Sequence, residues 1–378
     1  MRIAFISGMS GQPWGGSEVL WSEAARHLVK QGHTVFASVA RWPETPGPVA
    51  ALRGCGVEVD ERQWIAASLG RRVLSRIAGH AAADSGWEPS WRKIVNFKPD
   101  LVCVSHGSAI CGLKWMSLCR VAGIPYVSVA QANSEHWWPE DRVVQGISEA
   151  YEGARRAYFV SRSNLALFER QIGLSLSNGE VVWNPFNVGW EARPAWPDGD
   201  KTIQLACVAR LEPAAKGQDL LFQVLALPKW RGRPLSLTLF GKGPCEKGLR
   251  RLAEREGILD RVRFGGHVAD IEDAWRTHHA LALPSRYEGL PLSLVEAMLC
   301  GRPAIVTDVA GNTEPLEDNV TGFVAAAPTV RHLDEALERA WQRRHDWQEM
   351  GEAAAASIRR QIPQNPPRVF AEKLAALA

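Results

Sequence analysis

The chain has 378 residues, of which 46% are hydrophobic and 22% charged, enough for about two or three domains that each bury a core. Lys and Arg number 44 against 41 Asp and Glu, a formal net charge of +3. With no long basic run, that balance argues against a nucleic-acid partner. The seven cysteines (Cys55, Cys103, Cys111, Cys119, Cys207, Cys245 and Cys300) form no CxxC pair and are odd in number, which predicts buried free thiols in a reducing compartment.

In chain order, "RIAFIS" (Arg2 to Ser7) reads as a buried strand. It runs into a Gly-rich loop rather than a signal peptide. "SEVLWSEAARHLVKQG" follows as an amphipathic helix, with Ser17 as its cap and Gly32 as its stop. Further strands are "HTVFASVA", "LVCVS" (Leu101 to Ser105), "YVSVA" (Tyr126 to Ala130) and "RAYFVS" (Arg156 to Ser161). No apolar run reaches roughly 18 residues, so a soluble cytoplasmic protein is expected. The basic amphipathic run Ser68 to His80 reads as a solvated helix face, or as a peripheral contact with the inner membrane face or a lipid-linked acceptor.

Between Val181 and Asp200 the texture turns rich in Pro, Gly and Trp, and a domain boundary is expected there. The alternation then restarts with strands "TIQLACVA", "LSLTLFG", "VRFGGHV" and "HALALPS" separated by helical segments. From about Val330 the chain reads as helical apart from "PQNPP". Repeated βα units predict an α/β protein of two Rossmann-like, doubly wound parallel sheets. The expected division is residues 1–190, residues 191–362 and a C-terminal helix, 363–378, returning toward the first domain. Ligands of such sheets bind at the carboxyl ends of strands, so the cleft between two such domains is the expected site.

Three loops at strand ends carry polar chemistry. In "GMSGQPWGGSE" (Gly8 to Glu18) glycines precede a helix start, a place that favours anions. Its spacing matches neither the dinucleotide fingerprint nor the P-loop, and a plain strand-to-helix turn accounts for it equally well. In "ARLEPAAKGQD" (Ala209 to Asp219) two cations, Arg210 and Lys216, lie between a strand end and a helix start, which suits a diphosphate. In "SRYEGLPLSLVEAMLCGRPAIVTD" (Ser285 to Asp308) Glu288 follows a strand, and Ser293 with Glu296 fits the S-x-x-E capping box. Carboxylates beside phosphate-binding cations can hold sugar and ribose hydroxyls. The pattern therefore fits a nucleotide sugar.

These blocks together resemble the retaining glycosyltransferases of family GT4, which have the GT-B fold. "VARLEPAAKGQDLL" is similar to the family's R-L-x-x-x-K-G-x-D block with slack in its middle, and "LFGKGP" to its strand-Gly-x-Gly-Pro turn. "YEGLPLSLVEAMLCGRPAIVTDVAGNTEPLEDNVTGF" is similar to its E-x7-E block and the stretch that follows. The resemblance covers nearly the whole chain and is strongest from Ile203 to Ala327.

It implies a retaining, metal-independent hexosyltransferase without a cofactor. Its donor would be a nucleoside-diphosphate sugar, UDP- or GDP-linked. Its acceptor would be a hydroxyl of a glycan, a lipid-linked sugar or a secondary metabolite. Arg210 and Lys216 would hold the donor diphosphate, Glu288 the transferred sugar and Glu296 the ribose. Gly289, Leu290 and Leu292 would assist the phosphate by backbone N–H groups, and Gly15 and Gly16 would approach it from the first domain. The base would lie near Gly241, Lys242, His267 and Val268. Where many relatives have a His after the strand matching "PYVSVA", this chain has Gln131, with His136 five residues on; one of the two would take that role. Trp14, Trp137 and Trp138 are candidates for stacking on a sugar or apolar acceptor. Nucleotide-sugar epimerases or hydrolases of the same fold, or a non-catalytic nucleotide-sugar-binding subunit, are the alternatives. All four of Arg210, Lys216, Glu288 and Glu296 being present argues for an active transferase.

Overall fold

The computed structural model describes residues 1–9, 13–63, 87–197 and 202–378. The basic run of residues 68–80 lies outside them. The chain divides into two compact units. The first comprises Met1–Val160, Leu165–Asn184 and Asn365–Ala378; the second comprises Ser161–Asn164 and Pro185–Gln364.

The first unit is built on strands β1 (Arg2–Ser7), β2 (Thr34–Ala40), β3 (Glu58–Arg62), β4 (Leu101–His106), β5 (Tyr126–Ala130), β6 (Arg156–Phe159) and β7 (Gly179–Val181). They form one sheet in the order β3-β2-β1-β4-β5-β6-β7, all neighbours parallel. Parallel strands covered on both faces are apolar on both faces, and successive side chains of β1 divide accordingly. Ile3 and Phe5 join one core with Leu20, Trp21 and Leu28 of the helix Gly16–Lys30, while Ala4 and Ile6 join the opposite core with Phe36 and Trp115. The helix Pro366–Leu377 belongs to this unit. Its Phe370 and Leu374 enter the first of these cores, Phe370 meets Tyr158 edge-on at 5.3 Å, and Lys373 pairs with Glu180.

The second unit repeats the plan with β8 (Ile203–Val208), β9 (Leu235–Phe240), β10 (Val262–Gly266), β11 (Ala280–Leu283), β12 (Ala304–Thr307) and β13 (Gly322–Ala325). The order is β10-β9-β8-β11-β12-β13, again parallel. In both sheets the strand order reverses beside the first strand, at β1/β4 and at β8/β11, the place where such sheets open a crevice at their carboxyl ends.

Two helix starts differ from the sequence expectation. The first helix begins at Gly16 with Gly15 as its N-cap, so Ser17 lies inside it rather than capping it. The helix Leu292–Leu299 begins behind Pro291, with no side-chain cap. Ser293 is therefore its second residue and Glu296 its fifth, and the S-x-x-E pattern makes no capping box. Among the described residues no helix is long and apolar enough to cross a membrane. All seven cysteines are free; Cys103, Cys119, Cys207 and Cys300 are buried, whereas Cys111 is exposed.

Candidate active site

In the second unit the loops after β8, β9, β10 and β11 are fastened to one another by backbone contacts. Leu211 N–H donates to Lys242 O at 3.2 Å, Gly241 N–H to Gly266 O at 2.7 Å, and Arg286 N–H to Ala215 O at 2.8 Å. Glycine is required where the loops touch. A Cβ on Gly217, which has φ +64°, would lie 1.9 Å from Pro284 O, and one on Gly241 would lie 2.1 Å from Ala209 O. Arg286 adds a bidentate pair with Asp219, at 2.6 and 2.8 Å, and donates to Pro213 O. Gln218 Nε2 holds Arg210 O at 2.7 Å. Because these contacts clamp its two neighbours, Lys216 is set at a fixed place beside the end of β11.

There Lys216 Nζ donates to Glu288 Oε1 at 2.5 Å, and Ser285 Oγ donates to the same oxygen at 2.7 Å. Ser285 is itself held through its carbonyl by Thr307 Oγ1, at 2.5 Å. The Glu288 side chain is 7% exposed and that of Lys216 18%, so the pair is screened from bulk water and electrostatically strong. The backbone around Glu288 is pinned as well: Asn164 Nδ2 donates to Glu288 O at 3.3 Å, and Gly311 N–H to Gly289 O at 2.9 Å. Arg210 stands outward, 52% exposed, with Glu212 at 2.9 Å. Lys242 and His267 are exposed and Val268 is half-buried, while Gly289 and Leu290 are buried and Leu292 is half-buried.

Glu296 is 4% exposed. Its Oε1 accepts from Asn187 N–H at 2.9 Å and Asn187 Nδ2 at 2.8 Å. Burial raises the carboxyl above its ordinary pKa, and the two Asn187 donors work against that rise. Neither Asn187 nor Ser285 stands out in the sequence as a site residue. Nothing local in "WNPFN" marks a residue whose partner lies 109 positions away.

In the first unit Gly15 is extended, with φ −155° and ψ 174°, and its carbonyl accepts from Glu18 N–H at 3.0 Å. Glu18, also unflagged by the sequence, is 2% exposed. Trp21 Nε1 donates to its Oε2 at 3.0 Å, and burial pushes its carboxyl up to about 7 against the lowering effects of Ser7, Trp21 and Arg62. Gln131 is buried at the end of β5, and its Oε1 accepts from Asn184 Nδ2 at 2.7 Å. His136 sits exposed in a short 3-10 turn, Glu135–Trp137, capped by Ser134, whose hydroxyl accepts from His136 N–H. Of the two, Gln131 is the one rigidly held. Trp138 is 61% exposed, whereas Trp14 packs at 5.9 Å from buried Trp21. Among the described residues no three His, Cys, Asp or Glu side chains gather as metal ligands would.

Residues 189–357 match the family model described as Glycosyl transferases group 1, and residues 14–190 match the one described as Glycosyltransferase Family 4. The chain is 37% identical over 146 residues to a GDP-mannose-dependent alpha-(1-6)-phosphatidylinositol monomannoside mannosyltransferase of Mycobacterium tuberculosis, covering 35% of this chain and 37% of that protein. It is 31% identical over 128 residues to the alpha-D-kanosaminyltransferase of Streptomyces kanamyceticus, covering 33% of each. These alignments span about a third of the relatives' length. Among solved structures, Anabaena HepE in complex with UDP superposes with a TM-score of 0.75 at 19% identity, covering 100% of both chains. Sucrose-phosphate synthase from Thermosynechococcus elongatus gives 0.74 at 17% identity, covering 99% of this chain and 98% of that one. These structural likenesses establish the two-sheet GT-B fold. With the two family models together running over residues 14–357, the chain belongs to glycosyltransferase family 4.

Proposed function

We propose that the chain transfers a hexosyl group from a nucleoside-diphosphate sugar to an acceptor hydroxyl with retention of anomeric configuration, and without a divalent metal. The observation that carries this reading is the screened Lys216–Glu288 pair at the carboxyl ends of β8 and β11, seated between glycine-tight loops. Lys216 and Arg210 supply fixed positive charge for the diphosphate. As the bond from the anomeric carbon to the diphosphate oxygen breaks, negative charge grows on the leaving group, where preorganised cations lower the barrier most. The acceptor oxygen forms its bond to the anomeric carbon on the face the diphosphate leaves, and its proton passes to the departing phosphate oxygen.

Glu288 accepts hydrogen bonds from hydroxyls of the transferred sugar and faces the positive charge developing on its ring. Glu296 accepts from the ribose. The backbone at Gly289, Leu290 and Leu292 and the glycines Gly15 and Gly16 approach the phosphates; Gly241, Lys242, His267 and Val268 line the base; Gln131 donates to the sugar. The mycobacterial relative is GDP-mannose-dependent and the HepE structure holds UDP, so both bases are candidates for the donor. Exposed Trp138 offers an apolar face to the acceptor. The same reading keeps the protein cytoplasmic, with peripheral membrane contact where the acceptor is lipid-linked.

The test is a thermal-shift screen of the full chain against UDP, GDP, ADP and their sugars, followed by NMR of the product's anomeric proton. One nucleoside diphosphate is expected to raise Tm, and its sugar to give a product of unchanged anomeric configuration. No stabilising nucleotide, or an inverted product, contradicts the proposal.

A further inference from the structure

We propose that Asn187 is a positioning residue that fixes which oxygen of Glu296 is offered to the donor's ribose. The inference rests on the reading above, in which Glu296 is the ribose ligand. Asn187 brings two donors, its backbone N–H and its Nδ2, to a single oxygen, Oε1, at 2.9 and 2.8 Å. A carboxylate offers about four lone-pair sites. Here the two on Oε1 are taken by protein, and Oε2 accepts no hydrogen bond among the described residues. What remains for a vicinal diol is one oxygen in one orientation.

The segment that carries Asn187 is itself immobilised within the second unit. Gly189 N–H donates to Glu272 Oε1 at 2.6 Å, and Arg359 Nε donates to Trp190 O at 2.8 Å. Phe186 and Trp190 lie 5.9 Å apart, ring to ring. Glu296 thus cannot rotate its carboxylate without abandoning two donors whose own positions are fixed.

The amide is the part that matters. It is neutral and it donates. An aspartate of the same shape would set two acceptors against each other at the Nδ2 position, and two carboxylates in contact hold a proton between them rather than both ionise. Protonated, the aspartate donates as the amide does. The nearby ionisable groups are Cys300, which lies within electrostatic reach of Glu296, and Glu272, Arg302 and Arg359, which lie within reach of Cys300.

The experiment is calorimetric titration of the full chain with whichever of UDP and GDP binds the unsubstituted protein, at pH 5.5 and pH 8. The proteins compared are the unsubstituted chain, Asn187→Asp, Asn187→Ala, Glu296→Gln and the double variant that combines Asn187→Asp with Glu296→Gln. Each affinity is taken relative to the unsubstituted chain at the same pH, which removes the titration of the nucleotide itself. Asn187→Asp is expected to lose about tenfold or more at pH 8 and to return to within about threefold at pH 5.5, where the shared proton is present. In the double variant the introduced amide at position 296 donates to the introduced carboxylate at position 187, and the pH dependence disappears. Asn187→Ala keeps the backbone donor and loses affinity equally at both pH values.

Asn187→Asp binding like the unsubstituted chain at both pH values, or weakened equally at both, overturns the inference. So does a pH dependence that survives in the double variant. If Glu296→Gln binds the nucleotide normally, it is the assignment of Glu296 to the ribose that fails. Should Asn187→Asp not fold at pH 8, the Asn187→Ala arm decides: unchanged affinity there overturns the positioning role.

Discussion

Replacing Lys216 by Ala removes the ammonium from Glu288 Oε1 and leaves a 7% exposed carboxylate with Ser285 on that oxygen. A hydrogen bond to a charged group contributes about 1.5–3 kcal/mol, and breaking a fully buried pair costs about 3–5 kcal/mol. Lys216 is 18% exposed, so water can replace part of what is lost, and a cost of about 2–3 kcal/mol follows. For a unit of this size that lowers Tm by about 4–12 °C. Turnover carries the second effect. With the cation gone from the leaving group, the rate at saturating donor should fall about a hundredfold or more, about 2.7 kcal/mol in the barrier.

The assay is a double-mutant cycle with Lys216→Ala, Glu288→Gln and both together, read by thermal unfolding and by turnover. The double variant should recover most of the stability and none of the rate, because the two readouts depend on different partners of Lys216. A coupling near zero in unfolding refutes the pairing. Near-normal turnover of Lys216→Ala at saturating donor refutes the diphosphate role.

Gly217→Ala forces a side chain onto a φ of +64° and 1.9 Å from Pro284 O; it should cost more than about 2 kcal/mol and lower nucleotide affinity with it, measurable by urea unfolding and calorimetry. Burial raises Glu18 from the ordinary 4.5 to about 7, so between these values the native state binds more protons than the unfolded chain. Its contribution is therefore full below about pH 4.5 and is lost as pH rises through 7, about 3 kcal/mol in all; Glu18→Gln should remove that slope from a series of unfolding curves between pH 4.5 and pH 8. Activity should survive EDTA, and activity that vanishes with the chelator and returns with Mg²⁺ or Mn²⁺ contradicts the metal-independent reading.

The strands that lie inside their sheets are legible because burial on both faces selects mainly apolar residues, as in β1, β4, β5, β8 and β9. At the sheet edges β10 still reads as a strand through its Val262 and Phe264 alternation, whereas β3, "EVDER", and β7, three residues long, do not. The latter two are covered less completely, so their sequences carry no apolar run. The cations and carboxylates of the site stand out because strand ends are short and chemically sparse. Their pairing does not, since Lys216 and Glu288 are 72 positions apart. The capping expectation for Glu296 fails for a physical reason: the pattern needs Ser293 at the N-cap, whereas Pro291 holds that place two residues earlier and the carboxylate is claimed by Asn187.

The central claim is a division of labour between two carboxylates, and one pair of variants tests it most directly. Glu288→Gln and Glu296→Gln are to be compared by calorimetric titration with free nucleoside diphosphate and by turnover with the matching sugar. If Glu288 contacts the transferred sugar and Glu296 the ribose, Glu288→Gln binds free nucleotide normally and loses turnover, while Glu296→Gln loses nucleotide affinity by about tenfold or more. Lost nucleotide affinity in Glu288→Gln together with normal binding by Glu296→Gln contradicts the account.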